Sequence, residues 1–258
     1  MPHAATIDEV VAQLDAILER SIAEGDRRGY FAALYNRVTL AVRDGIARGE
    51  FDDGPRMERF DVAFANRYFD ADDAYRTGGP VPQVWQRAFD AAACEGLFVV
   101  QHLLLGMNAH ITFDLGLAVL DTVPASSIES LHADYDRIND VLASLMPTDE
   151  AELIDIAGTW APPVGAALRL AERLADGSER TAAALVMDAA RASAWSFALT
   201  LSQLDPSEWP ARIARQDEEA TRISETVLLA SPAVNLLAGG GSHDVAHNIR
   251  VLAAGELG

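Results

Sequence analysis

Apolar side chains recur every three or four residues along most of this chain, the spacing of amphipathic helices. Val10, Leu14, Ile17, Leu18 and Ile22 line one face of a first helix. Thr6 is its expected N-cap, Asp8 and Glu9 suit its first turn, and Gly25 ends it. Phe31, Leu34, Tyr35, Val38 and Val42 mark a second helix over 29–48, and Met57, Phe60, Phe64 and Tyr68 a third over about 56–75. Past a Gly-Pro loop at 77–82, a fourth helix carries Trp85, Ala88, Phe89 and Ala92. It leads, unbroken or kinked at Gly96 or Gly106, into the most apolar stretch, 97–120. Leu131, Tyr135, Ile138, Leu142 and Leu145 define the next helix. Further helices are expected after Pro147, over 164–175, from Glu179 to Leu204, from about Asp205 to Leu229, and over about 243–254. No β-type alternation bounded by hairpin turns interrupts this pattern. The prediction is therefore an all-α fold: a single-domain bundle of about nine or ten helices around a buried central helix, covering 1–258 with 231–258 as a short C-terminal segment.

Composition narrows the function classes. The chain has 39 acidic and 20 basic residues, a formal charge of −19. Such a surface repels phosphate backbones, which argues against a nucleic-acid partner. All 20 basic residues are Arg, so no lysine is available as a Schiff-base nucleophile or general base. The single cysteine, Cys94, excludes a disulfide framework and is expected to be a buried structural thiol. Met1 to Val10 lacks the basic and apolar regions of a signal peptide, and His102, Asn108, His110 and Asp114 interrupt the 97–120 run. No membrane span and a cytoplasmic location are expected. No glycine-rich phosphate loop, GxSxG elbow or HExxH occurs, so no nucleotide cofactor is implied.

The candidate chemistry centres on residues 101–115. On a continuous helix from 95 to 114, Glu95, His102, His110 and Asp114 fall within an arc of about 120°, with Gln101 and Asn108 on another face. His110 and Asp114, at i and i+4, can present two metal ligands, an imidazole oriented by a carboxylate for proton transfer, or a buried hydrogen bond that only serves packing. Other groups worth locating are His132 with Asp136, Tyr135 with Asn139, and Arg191 with Trp195, which can turn a guanidinium inward towards a carboxylate or an anionic substrate. His243 and His247 are spaced to chelate a metal. Asp61, Asn66, Arg67 and Tyr68 precede Asp70-Ala71-Asp72-Asp73, formally the DxDD pattern of proton-initiated terpene cyclases.

The run Leu-Leu-Gly-Met-Asn-Ala-His-Ile-Thr-Phe-Asp-Leu at 104–115 resembles the LLGxNAHINYDL hallmark of a bacterial family of uncharacterised proteins, DUF5995. Phe64-Ala65-Asn66-Arg67-Tyr68-Phe69, Pro82-Gln83-Val84-Trp85, Asp134-Tyr135-Asp136-Arg137-Ile138-Asn139 and Arg191 with Trp195 extend the resemblance over about residues 6–200. The chain departs from the family pattern at Asn66, where the family tends to have Asp, and at Thr112-Phe113, where it has Asn-Tyr. A lost metal ligand, or a site reshaped for a more apolar substrate, fits those changes.

Together these residues suggest an enzyme. His110, Asp114, Asn108, Arg67 and Arg191 are the expected catalytic groups, and His102, Phe113, Met107, Phe64, Trp85, Tyr68, Asp134, Asn139 and Trp195 the substrate-binding ones. The substrate class that suits an apolar-walled site is lipid-, polyketide- or terpenoid-like, with cyclisation or isomerisation in specialised metabolism as the reaction. The alternatives are a metal-dependent hydrolase of the zinc phospholipase kind, with His110 and Asp114 as candidate ligands of a divalent ion, and a non-catalytic binder of a lipophilic molecule.

Overall fold

The structure is a computed structural model that describes residues 2–145, 182–229 and 244–255. It is a single all-α domain, and no strand occurs among the described residues. Helix α1 spans Ile7–Glu24, α2 Gly29–Arg48, α3 Gly54–Thr77 and α4 Gln83–Ala91. Then come α5 (Val99–Met107), a π-helical segment (Asn108–Asp114) and α6 (Leu115–Thr122). A 3₁₀ turn (Ala125–Leu131) leads to α7 (His132–Leu145); α8 (Ala182–Gln203), α9 (Trp209–Leu229) and α10 (Val245–Ala254) complete the described part. The expected helices between Pro147 and Gly177 lie outside the described residues, as does His243.

Local signals set the ends of these helices. The Thr6 hydroxyl accepts the Glu9 amide at 3.2 Å, capping α1 as predicted, and Gly25 closes it with a left-handed φ of 65°. One cap comes from far along the chain. Asp217 on α9 accepts the Gln83 and Val84 amides at 2.8 and 2.9 Å and so caps α4.

The run from Val99 to Thr122 forms the centre of the molecule. By length and composition it suffices to cross a bilayer, yet 67% of its apolar window is buried within the protein. Helices α2, α3, α4, α8 and α9 pack around it. Its smallest residues allow the closest approaches: a Cβ at Gly116 would lie 2.6 Å from the Ala194 carbonyl oxygen of α8. One apolar core, on the side of α1, α2 and α4, includes Phe31, Tyr68 and Trp85. A second, towards α7 and α8, includes Phe60, Leu115, Tyr135 and Trp195. Phe64 packs against both.

Two expectations need correction. The fourth helix does not run into the central one: α4 ends at Ala91, the Ala92–Cys94 amides turn back onto the 89–91 carbonyls, and α5 starts only at Val99. Glu95 therefore lies in a loop and is exposed, so it shares no helix face with His110. Cys94 is exposed as well rather than buried. Residues 91–96 hold only small side chains around Cys94 and Glu95, which gives this turn little apolar surface to bury.

Candidate functional site

Residues 108–114 are wound more widely than an α-helix. The Leu115 amide bonds back five residues, to the His110 carbonyl. Hydrogen bonds to α9 hold this segment at two places. Gln216 Nε2 donates to the Thr112 carbonyl at 2.8 Å, and Asn108 Nδ2 donates to the Ala220 carbonyl at 2.8 Å and to Ser224 Oγ at 3.0 Å. Asn108 thus spends both amide hydrogens on holding the segment to α9.

His110 is 2% exposed and lies in an aromatic cage. Phe64 stacks flat on its ring at a centroid distance of 3.5 Å, Tyr35 meets it edge-on at 4.5 Å and Phe31 at 5.6 Å, while Trp85 and Tyr68 stand at 6.0 and 6.2 Å. Among these rings only Phe64 is more than marginally exposed. Asp114 Oδ2 accepts the Trp85 indole N–H at 2.8 Å and faces His110 Nδ1 at 3.3 Å. A proton on Nδ1 satisfies that carboxylate and leaves Nε2 as the basic nitrogen. Burial lowers the imidazole pKa, and this outweighs the opposing pull of Asp114; the more distant Arg67 charge lowers it further. His110 is therefore neutral at pH 7.

Several buried polar atoms around the cage have no hydrogen-bond partner: His110 Nε2, the Tyr35 and Tyr68 hydroxyls, Thr39 Oγ1 and Asp61 Oδ2. Burial, then the Asp61 and Asp114 charges, push the Tyr35 phenol well up, so this hydroxyl lies within electrostatic reach of both carboxylates. The Thr39 hydroxyl lies close enough to oppose that rise, without a hydrogen bond of standard geometry. Asp61 is pushed up to about 7, first by burial and then by Glu58. A neutral base, a carboxyl group poised near neutrality and two protonated phenols thus share one apolar region.

The structure brings His110, Asp114, Phe64, Trp85 and Tyr68 together. Phe113 is buried in the same core, and Met107 packs against it. His102 lies towards the start of α2, edge-on to Tyr30 at 5.5 Å. Arg67 lies at the outer edge, paired with Asp121 at 2.9 Å through Nε. The remaining candidates are elsewhere. Asp134 accepts the Asp52 amide at 2.6 Å, the Asp53 amide at 3.1 Å and Arg56 at 2.7 Å; burial would raise its pKa, but these donors hold it below the usual carboxylate range. Arg191 donates to Asn139 and to the Tyr135 carbonyl, with its guanidinium 4.3 Å from the Tyr135 ring centre. Trp195 packs on Tyr135 at 4.9 Å, and an aromatic path through Phe60 connects this second cluster to Phe64.

The DxDD pattern is divided between ion pairs. Asp72 bridges Arg20 and Arg28 at 2.7 and 3.1 Å, and Asp70 meets His3 at 2.8 Å. Asn66 exchanges two hydrogen bonds with the Ala4 backbone, at 2.8 and 3.0 Å, and so ties down the N-terminal segment. Among the described residues no group of three His, Cys, Asp or Glu converges as a metal site. With Asp114 Oδ2 already facing two nitrogens, His110 and Asp114 do not fit a metal centre.

Phe31 and Tyr35, which helical spacing alone places on an ordinary apolar face, belong to the site, as does Thr39 one turn further along α2. Their signal is a stripe at i, i+4 and i+8 of α2 that carries two hydroxyls among apolar neighbours. Asp61 has a similar signal, lying within the buried face Met57, Phe60, Asp61, Ala65 and Tyr68 of α3.

The architecture defines an all-α protein with a polar cluster built around a π-helical turn. Residues 7–230 match the model of a family of unknown function, DUF5995, and the chain belongs to that family. No curated protein and no solved structure matches it.

Proposed function

We propose that this protein is a metal-independent acid–base enzyme that moves protons on a largely apolar small molecule, as in an isomerisation or cyclisation. One observation carries the reading: a buried imidazole, oriented through Nδ1 by a carboxylate that Trp85 also holds, has a basic Nε2 with no partner. Leaving such an atom unpartnered costs about 1–3 kcal/mol, a cost that a ligand proton would remove. In this reading His110 Nε2 accepts a proton from the substrate, and Asp114 and Trp85 fix the ring. Asp61, close to neutrality, and Tyr35 return or relay a proton on the other side. The cage supplies apolar walls suited to a terpenoid-, polyketide- or lipid-like skeleton. Phe64, the partly exposed ring over His110, is the side chain that must move for entry. The hydrolase alternative lacks a third metal ligand among the described residues.

Because the substrate is unidentified, the test uses solvent exchange. The protein is incubated in D₂O with small-molecule extract from its source cells, and mass spectrometry follows deuterium incorporation. The wild type is expected to label at least one component, while His110→Gln and Asp61→Asn lose most of that labelling and keep the fold by circular dichroism. Absence of labelling, or full labelling by His110→Gln, overturns the reading.

A further inference from the structure

We propose that the C-terminal helix α10 is a releasable clamp. Docked, it fixes the start of α2 and keeps the cage around His110 closed; undocked, it lets the start of α2 loosen and makes His110 reachable. The inference rests on the acid–base reading only for what an opened cage would do, since the clamp itself needs no reaction.

Helix α10 sits on α1 and α2 much as a bound amphipathic helix sits in a groove. Asp244 caps it by accepting the His247 amide at 3.0 Å. Val245, Ile249 and Leu252, at i, i+4 and i+7, are its apolar anchors, and Ile249 and Leu252 are buried. His247 and Arg250, on the opposite side of the helix, are exposed. Ile249 reaches the point where three helices meet. A Cβ at Gly29, the first residue of α2, would lie 2.6 Å from Ile249 Cδ1 and 2.6 Å from Ser21 Cβ of α1. Beside it, Asn248 Nδ2 donates to the Tyr30 hydroxyl at 3.4 Å.

The start of α2 depends on such support. It opens on a glycine, a poor helix former, and has neither a side-chain cap nor an acidic residue in its first turn. Its order therefore comes from packing rather than from local signals. This turn and the next carry two walls of the cage, since Phe31 and Tyr35 both meet the His110 ring edge-on. A line of contacts thus runs from Ile249 through Gly29 and Tyr30 to Phe31, Tyr35 and His110.

The hold on α10 is small enough to be given up. The helix has ten residues, a length that is marginal in water without a partner, and Ile249 and Leu252 are its buried side chains. Fifteen residues, 230–244, separate it from the end of α9, so no short connection fixes its place. It also lies beyond residue 230, where the match to the family ends. Terminal elements of this kind open at lower free energy than the core they cover. Opening here acts on the α2 wall of the cage, whereas movement of Phe64 acts on the α3 wall.

Diethyl pyrocarbonate, which acylates neutral imidazoles, tests this on the full chain, with peptide mass spectrometry reading each histidine. In the wild type, His110 should react far more slowly than the half-buried His132. Ile249→Asp, which puts a charge into the groove, should raise the His110 rate by about tenfold or more, and Ile249→Ala by a smaller factor, with His132 unchanged. Amide hydrogen exchange on the same proteins should show residues 29–35 losing protection while α3 keeps its own. An unchanged His110 rate in both variants, or a rise that comes only with loss of protection throughout α3, overturns the clamp. The two proposals fail separately. A His110 rate that follows Ile249 without any deuterium labelling of small molecules removes the enzyme reading and leaves the clamp, whereas labelling with a His110 rate indifferent to Ile249 does the reverse.

Discussion

Gly106 has no room for a methyl group. A Cβ there would lie 2.5 Å from Phe31 Cγ and 2.8 Å from its Cβ, and Phe31 is the ring that touches His110, Trp85 and Tyr68. Gly→Ala within a helix normally gains about 1 kcal/mol. Here the clash with a packed ring reverses the sign, so Gly106→Ala is expected to destabilise by about 1–3 kcal/mol, measured by urea denaturation. A stabilised variant would show that Phe31 gives way freely. Asp61 allows a second prediction. Its carboxyl is pushed up to about 7 in the folded chain, against about 3.9 when unfolded. Between those values the unfolded state binds fewer protons than the folded state, so this group's contribution falls as pH rises from about 4 to 7 and is flat above. Asp61→Asn removes that dependence. Relative to the parent, the variant should match near pH 4 and be more stable at pH 8, by at most about 4 kcal/mol. Equal stability of the two proteins at pH 8 would contradict the buried, near-neutral carboxyl. The sequence displays His110 and Asp114 plainly, because two polar residues at i and i+4 stand out in an apolar run. Asp61 and Tyr35 are less distinct: Asp61 is noticed only beside Asn66, Arg67 and Tyr68, as one acid among 39 with nothing to mark its burial, and Tyr35 is a tyrosine on an apolar stripe.

At the level of elements, nearly every described helix is legible from periodicity and caps, since Thr6, Gly25, Gly49 and Gly78 act where their chemistry predicts. The π-helical turn is not. Its residues are as apolar and as evenly spaced as those of an α-helix, and what sustains it comes from more than a hundred residues away. Gln216 takes the Thr112 carbonyl, while Asn108 reaches the Ala220 carbonyl and Ser224. The same distance hides Asp217 as the cap of α4. This assigns Asn108 a positioning role, since it touches α9 rather than the His110 ring. Asn108→Ala and Gln216→Ala should each cost about 1–3 kcal/mol, because the first removes two buried hydrogen bonds to α9 and the second takes from the Thr112 carbonyl its side-chain donor. Since both support one segment, the double variant should lose less than the sum. A full set of urea denaturation curves checks this; strict additivity would mean that the two bonds hold independent pieces.

For the molecule as a whole the charge of −19 matters most. The arginines that pair inside the fold are well used: Arg20 and Arg28 clamp Asp72, and Arg56 holds Asp134. These pairs are sheltered, since the side chains of Asp72 and Asp134 are 2% and 0% exposed, and dissolved salt screens them little. Acids outnumber arginines by 39 to 20, and the mutual repulsion of this excess acts over the surface, where salt screens it strongly. The Debye length falls from about 30 Å at 0.01 M to about 10 Å at 0.1 M, the range in which charges across a domain cease to interact. Adding NaCl from low ionic strength should therefore raise Tm by several degrees, with most of the gain complete near 0.1 M, as followed by thermal denaturation at pH 7.5. The opposite outcome is equally informative. Exposed pairs such as Arg48–Glu50 and Arg215–Glu219 are weakened by the same salt, so a fall in Tm would mean that such contacts outweigh the repulsion. Exposed pairs typically contribute only about 0.2–1 kcal/mol each, and 39 acids face 20 arginines, so the repulsion is expected to dominate.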